Sequence, residues 1–487
     1  MTSSEQSQTQ VATEPEPGGF SLSDSGDEGY HQSLTNRQVQ MIAIGGAIGV
    51  GLFMGAGGRL AKAGPSLVLA YAGCGVIAYL LMRALGELVM HRTSSGSFVS
   101  YSREFFGNKW AFVAGWMYMV NWMTSGIAEI TAIAQYVNKW LPDLPQWIPA
   151  LVALAVVLSI NLISVKAFGE FEFWASMVKV VALITFIVVG IGLVATRTGI
   201  AGHEAGLGNL VHGPGGFFPA GVLPLVMVMQ GVIFAYATIE LVGTASGETE
   251  NAREVIPKAI RAVIFRIAFF YVGSVLLLGC LLPYTMYHAG ESPFVTVFSN
   301  LGQPWIGDAM NVVVLTAALS SCNSGLYSTG RVLRSLAAEG EAPAFTGRMN
   351  KHHVPYGGIL LTASVYGLGV FLNYVVPARA FELALNMAAI GVMWTWGTIF
   401  ACQIALRRRI DRGELPATTF PMPGAPVTSW LGLAALCFIL VTMAFDPDGQ
   451  LILACTPVVV AALVAGWFAV RRKALRSHAL HAERTGR

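Results

Sequence analysis

Three ionisable residues stand in this chain where water should be scarce. Lys179 lies in SMVKVVAL, Glu129 in GIAEITAI and Glu240 in FAYATIE, each among apolar neighbours. A lone charge inside a bilayer costs on the order of 2.5 kcal/mol or more, so such groups face the protein interior and find a partner. A buried lysine can gain and lose a proton, which suits proton coupling; the alternative is a stem that snorkels to the nearer membrane surface. Glu129 either relays protons or completes a structural ion pair. Glu240 needs interior backbone amides or a cation.

A second chemistry-bearing pattern is the cluster Gly45-Gly46-Ala47-Ile48-Gly49-Val50-Gly51-Leu52-Phe53. Each glycine weakens a helix by roughly 1 kcal/mol relative to alanine. Gly45 and Gly49 alone would make a GxxxG packing seam; the further glycines exceed what a seam needs and predict a break. In lipid every backbone polar group must be paired, so a broken membrane helix lines a cavity. The half-helix after the break presents amides and a positive dipole end, which places Ile48, Gly49, Val50 and Gly51 to receive a carboxylate. Glycine lets the ligand approach the backbone. A second break is predicted around Phe234-Ala235-Tyr236-Ala237-Thr238-Ile239-Glu240.

The elements that must hold these groups follow from composition. Of 487 residues 54% are hydrophobic and only 12% charged, against about 25% charged in soluble proteins. Runs of about 20 apolar residues, the length that crosses a bilayer, recur about twelve times, giving an all-α integral membrane protein. The two breaks fall in the first and sixth runs, the arrangement of two inverted five-helix repeats around a midplane site. The expected organisation is a disordered, acidic cytoplasmic tail over 1–38, a first repeat over 39–196, a second over 217–405, two further helices over 428–470 and a basic tail over 471–487. With both termini inside, 22 of the 30 Lys and Arg fall in cytoplasmic loops and tails, as the positive-inside rule requires; Arg59 and Lys62 count among the few in opposite loops. Six cysteines scattered through apolar segments imply no disulfide framework. No histidine pair with a carboxylate, nucleophile or phosphate loop stands out, so neither an enzyme nor a metal site is expected, nor a cofactor or nucleic-acid partner.

GGAIGVGLF, FAYATIE, GEFEFWASMVKV and SSCNSGLYSTGRVLRSLAAEGEAPAF, in this order, resemble the amino acid transporter family of the amino acid, polyamine and organocation superfamily, from about residue 30 to 470. Within it GGRLAKAGP, SSGSFVSYSREFFG, AGESPFVT and GLYSTGR resemble most the bacterial L-asparagine permeases. The resemblance implies a multi-pass protein of the bacterial inner membrane that binds an amino acid zwitterion. Its ammonium would meet the first helix and the carbonyls of Phe234, Ala235 and Ala237, with the Phe234 ring as a gate. Many relatives carry glycine where Thr238 stands. A lysine at the position of Lys179 occupies the place of sodium in related sodium-coupled transporters, which implies proton symport.

For the substrate side chain the candidates are Asn121, Thr124 and Ser125, then Ser321 and Asn323, and Asn386, whose amides and hydroxyls suit L-asparagine or another small neutral polar amino acid. Polar groups also bridge membrane helices structurally. The segment 289–296 is expected to begin a short outer helix over the vestibule. An importer driven by protons, an obligate exchanger on the same fold and a membrane amino acid sensor all remain compatible with these residues.

Overall fold

The computed structural model describes residues 35–45, 48–94, 96–249, 251–375 and 377–485. The leader expected over 1–38 lies outside the described residues as far as residue 34, as do Gly46 and Ala47 of the glycine cluster. Helix α1 (Asn36–Gly45) begins earlier than expected, inside that leader. The cause is local: Gln38 Oε1 accepts the Thr35 amide and hydroxyl, both at 3.0 Å, half of a capping box.

After the first break come α2 (Val50–Phe53), α3 (Gly55–Ala63) and α4 (Leu67–His91). The short α5 (Phe98–Phe106) leads into α6 (Asn108–Asn138), α7 (Trp147–Ile163) and α8 (Val165–Ala195). Helix α8 starts at Val165 rather than at 173, because the Ser164 hydroxyl caps it by accepting from the Ala167 amide. A two-residue hairpin, β1 (Gly199–Ile200) with β2 (His203–Glu204), interrupts the otherwise helical order.

The second half begins with α9 (Gly208–Val211), α10 (Val222–Met227) and α11 (Met229–Ala235), and resumes after the second break as α12 (Leu241–Ala245). Then follow α13 (Ala252–Arg261), α14 (Val263–Arg266), α15 (Ser274–Leu281) and α16 (Pro293–Ser299). The last five are α17 (Pro304–Ala338), α18 (Tyr356–Val375), α19 (Pro377–Asp411), α20 (Val427–Thr442) and α21 (Pro447–Thr485). The final helix therefore runs on through most of the segment expected as a tail.

Eight runs among the described residues are long and apolar enough to cross a membrane: Val50–His91, Val165–Ala195, Ala252–Leu281, Trp305–Ala338, Tyr356–Val375, Phe381–Asp411, Val427–Phe445 and Gly449–Arg472. Trp147–Ile163 and Val222–Ala235 are apolar but shorter. Helix α8 shows why the bundle closes as it does. Val178, Val181, Ile184, Val188 and Ile191 are exposed along one face, whereas Glu172, Ser176, Lys179, Leu183 and Phe186 are buried along the other. Apolar side chains face outward and the polar ones inward, the inverse of a water-soluble helix. Helix α6, which carries Asn121, Ser125 and Glu129, is the central element, packed against α19 and α17.

Candidate functional site

The two breaks meet. At the first, the Ile48 amide reaches back to the Gly45 carbonyl at 3.0 Å and Gly49 is extended (φ −121°, ψ −166°) before α2 begins. At the second, residues 236–240 form turns held by Tyr236 N to Ile233 O and Ala237 N to Phe234 O, both 3.0 Å, and by Leu241 N to Thr238 O at 2.9 Å. Thr238 takes φ +77°, a region costly for a β-branched residue, so threonine does not prevent the interruption. Gly51 is what allows the crossing: a Cβ there would lie 2.7 Å from Ala235 Cα.

Between the breaks lies a small cavity lined by Gly49, Gly51, Asn121, Trp122, Ser125, Glu129, Phe234, Ala235, Ala237, Thr238 and Ser321. The structure thus brings together most of the residues expected to bind substrate. It is narrow, with about 10 Å³ open to the centre of a water molecule, room for about one water. Ile48 and Val50 are buried beside it without lining it. Glu129 is 2% exposed, and its Oε2 has no hydrogen-bond partner. On the opposite wall, a Cβ added at Gly49 would stand 3.5 Å from Glu129 Oε1 and 3.7 Å from Ser321 Oγ.

Four expected site residues lie elsewhere, among them Asn386, which lines a different cavity and whose Oδ1 accepts from Gln230 Nε2 at 3.1 Å. Asn323 accepts from Asn161 Nδ2 at 2.7 Å and donates to Glu172 Oε2 at 3.5 Å, away from the cavity wall. Thr124 turns its hydroxyl onto the Val120 carbonyl of its own helix. Glu240 is fully buried behind the second break, where Trp396 Nε1 donates to its Oε2 at 3.4 Å.

Lys179 does not snorkel. Near the middle of α8, with no exposure, its Nζ donates to Ser320 Oγ at 2.8 Å and lies 3.8 Å from Glu172 Oε1. Ser320 in turn donates to that Oε1 at 2.5 Å. Glu172 and Ser320 are therefore part of the site's electrostatics, although sequence reasoning did not single them out. The signal was present in spacing: Glu172 precedes Lys179 by two helical turns, so both share one face.

Arg59 corrects another expectation. It is not a loop charge but lies in α3, 8% exposed, with Nη1 donating to the Gly51 carbonyl at 2.9 Å. A guanidinium thus bonds the backbone of the glycine at which the two breaks cross.

Comparison with known proteins agrees with this architecture. The chain matches the amino acid permease family over residues 38–479. It is 55% identical to the L-asparagine permease of Salmonella typhimurium over 455 residues, 93% of this chain and 91% of that one. It is 54% identical to the L-asparagine permease of Streptomyces coelicolor over 467 residues, 95% of each. With L-asparagine permease 1 of Mycobacterium tuberculosis it shares 55% over 452 residues, 92% of each. Two interrupted helices crossing at a glycine, a cavity at the crossing that carboxylate, amide and hydroxyl side chains reach, and a match along nearly the whole length have one common account: the chain belongs to the amino acid permease family.

Proposed function

We propose that this permease imports a neutral polar amino acid, L-asparagine first, together with a proton. The observation that carries the reading is the buried Oε2 of Glu129, unpaired in a cavity walled by the two breaks. An unsatisfied carboxylate oxygen beside glycine backbone suits a zwitterion: the ammonium goes to Glu129 and the carbonyls of the second break, the carboxylate to the amides at Gly49–Gly51. Asn121, Ser125 and Ser321, on the same wall, suit a side-chain amide. The relatives at about 55% identity are L-asparagine permeases, which favours the same substrate.

The proton belongs to the polar group behind the cavity, where Lys179, Ser320 and Glu172 are linked. In this reading Lys179 exchanges the proton, Glu129 and Glu240 take part in the coupling, and the chain spans the bacterial inner membrane about twelve times as two inverted repeats of five helices plus two, with both termini cytoplasmic.

Proteoliposomes decide it. Labelled L-asparagine should accumulate under an imposed pH gradient with no amino acid inside, and Lys179→Ala should abolish accumulation. Full concentrative uptake by that variant overturns proton coupling; uptake only against internal amino acid favours an exchanger.

A further inference from the structure

A second cavity, of about 440 Å³, opens on the Arg59 side of the crossing, between α3, α10, α11 and α19. That is within the roughly 300–1,000 Å³ of small-molecule pockets, whereas the space between the breaks holds about one water. Arg59 lies against the bare faces of Gly55 and Gly231, where an added Cβ would strike its guanidinium. One of its five N–H groups is spent on the Gly51 carbonyl, and the buried Tyr71 hydroxyl lies beside the same guanidinium.

Beside it Gln230, 6% exposed, donates from Nε2 to Asn386 Oδ1 at 3.1 Å, while its own Oε1 has no partner. Both amides line the same cavity, as do Glu382, Asp446 and Lys62; Lys62 Nζ lies 3.9 Å from Asp446 Oδ1.

We propose that this vestibule is a second binding site for the transported amino acid, reading its α-carboxylate and side-chain amide before it reaches the cavity between the breaks. The inference rests on the reading of the chain as an importer. A guanidinium fork takes a carboxylate in two parallel bonds. The unpaired Gln230 Oε1 accepts from a carboxamide N–H, and the carboxylates of Glu382 and Asp446 draw the ammonium. Asparagine offers all three groups; alanine lacks the amide. Arg59 also bonds backbone that lines the inner cavity, so a ligand on its guanidinium is held one step from the crossing.

The experiment separates the two sites with Gly49→Val, whose added methyls fill the inner cavity on an extended backbone that valine accepts; Ser125→Leu serves the same end from the opposite wall. In equilibrium dialysis of the purified full chain with labelled L-asparagine, a blocked variant should keep saturable binding while showing no uptake in proteoliposomes. Adding Gln230→Leu, or separately Arg59→Lys, should weaken that residual binding about tenfold, the loss of about one good hydrogen bond. L-alanine should bind the blocked chain about tenfold more weakly than asparagine. The proposal is overturned if a blocked variant that keeps the wild-type gel-filtration profile binds no asparagine, or if neither added substitution weakens the residue of binding. A wild-type chain that transports no amino acid overturns the importer reading instead.

Discussion

Lys179 Nζ and Glu172 Oε1 stand 3.8 Å apart with no exposure on either side chain, and one hydroxyl, that of Ser320, bonds both. The two charges come from one helix and the bridge from another, so the pair joins α8 to α17. Taking two ions out of water is costly, and the cost is met only when each keeps its partner. Such a pair makes its members depend on each other more than on their surroundings.

Removing one partner should therefore be worse than removing both. Lys179→Met alone leaves Glu172 buried and uncompensated and should cost about 3–5 kcal/mol. The double variant Lys179→Met/Glu172→Gln should recover most of that stability in detergent unfolding without recovering gradient-driven uptake. Additive losses in the double-mutant cycle would show that the pair is not coupled.

The two glycines at the first break should respond differently. At Gly51 a Cβ meets Ala235 Cα at 2.7 Å, so Gly51→Ala should cost about 1–3 kcal/mol by overpacking and lower the melting temperature. At Gly49 the nearest atoms are at ordinary contact distance. Gly49→Ala should keep the melting temperature and raise the KM for uptake.

Thr238 carries its left-handed backbone at a cost. A non-glycine residue there stores about 1–3 kcal/mol, and the extra chain entropy of glycine offsets about 0.5–1 kcal/mol. Because the contacts of the buried threonine side chain are lost as well, Thr238→Gly should be close to neutral, and a clear fall in melting temperature would mean that the threonine side chain holds the break.

Glu104, on α5, gives a pH dependence. Burial acts to raise its pKa, but the hydrogen bond and charge from His91 and the charges of Arg92 and Arg409 outweigh it and hold the carboxyl below its ordinary value. His91 Nε2 lies 2.7 Å from Oε1 and Arg92 Nε 3.3 Å from Oε2. A depressed folded-state pKa gives stability that is present above the unfolded value, about 4.3, and is lost as pH falls through the folded one. Melting temperature should drop on acidification below about pH 4, and Glu104→Gln should flatten that part of the profile.

Much of the site was legible because its signals are local. Four glycines in one apolar run announce weak helix wherever the chain folds, and FAYATIE announces the second break by its carboxylate. Asn121, Ser125 and Glu129 lie on one face of α6 because they recur every four residues. Spacing along one helix cannot tell which of two neighbouring positions faces a cavity on another: Ser321 lines it, whereas Asn323 bonds Asn161 and Glu172.

The sequence by itself determined the membrane class, the two interruptions and the presence of charges that must be buried, since composition and helix propensity are properties of the chain alone. Only the tertiary structure decided the partners. Glu172 rather than bulk water answers Lys179, and Arg59 folds inward onto the Gly51 carbonyl instead of standing in a loop. Both outcomes depend on distances between segments far apart in sequence or on which face of a helix meets its neighbour, and packing alone fixes these.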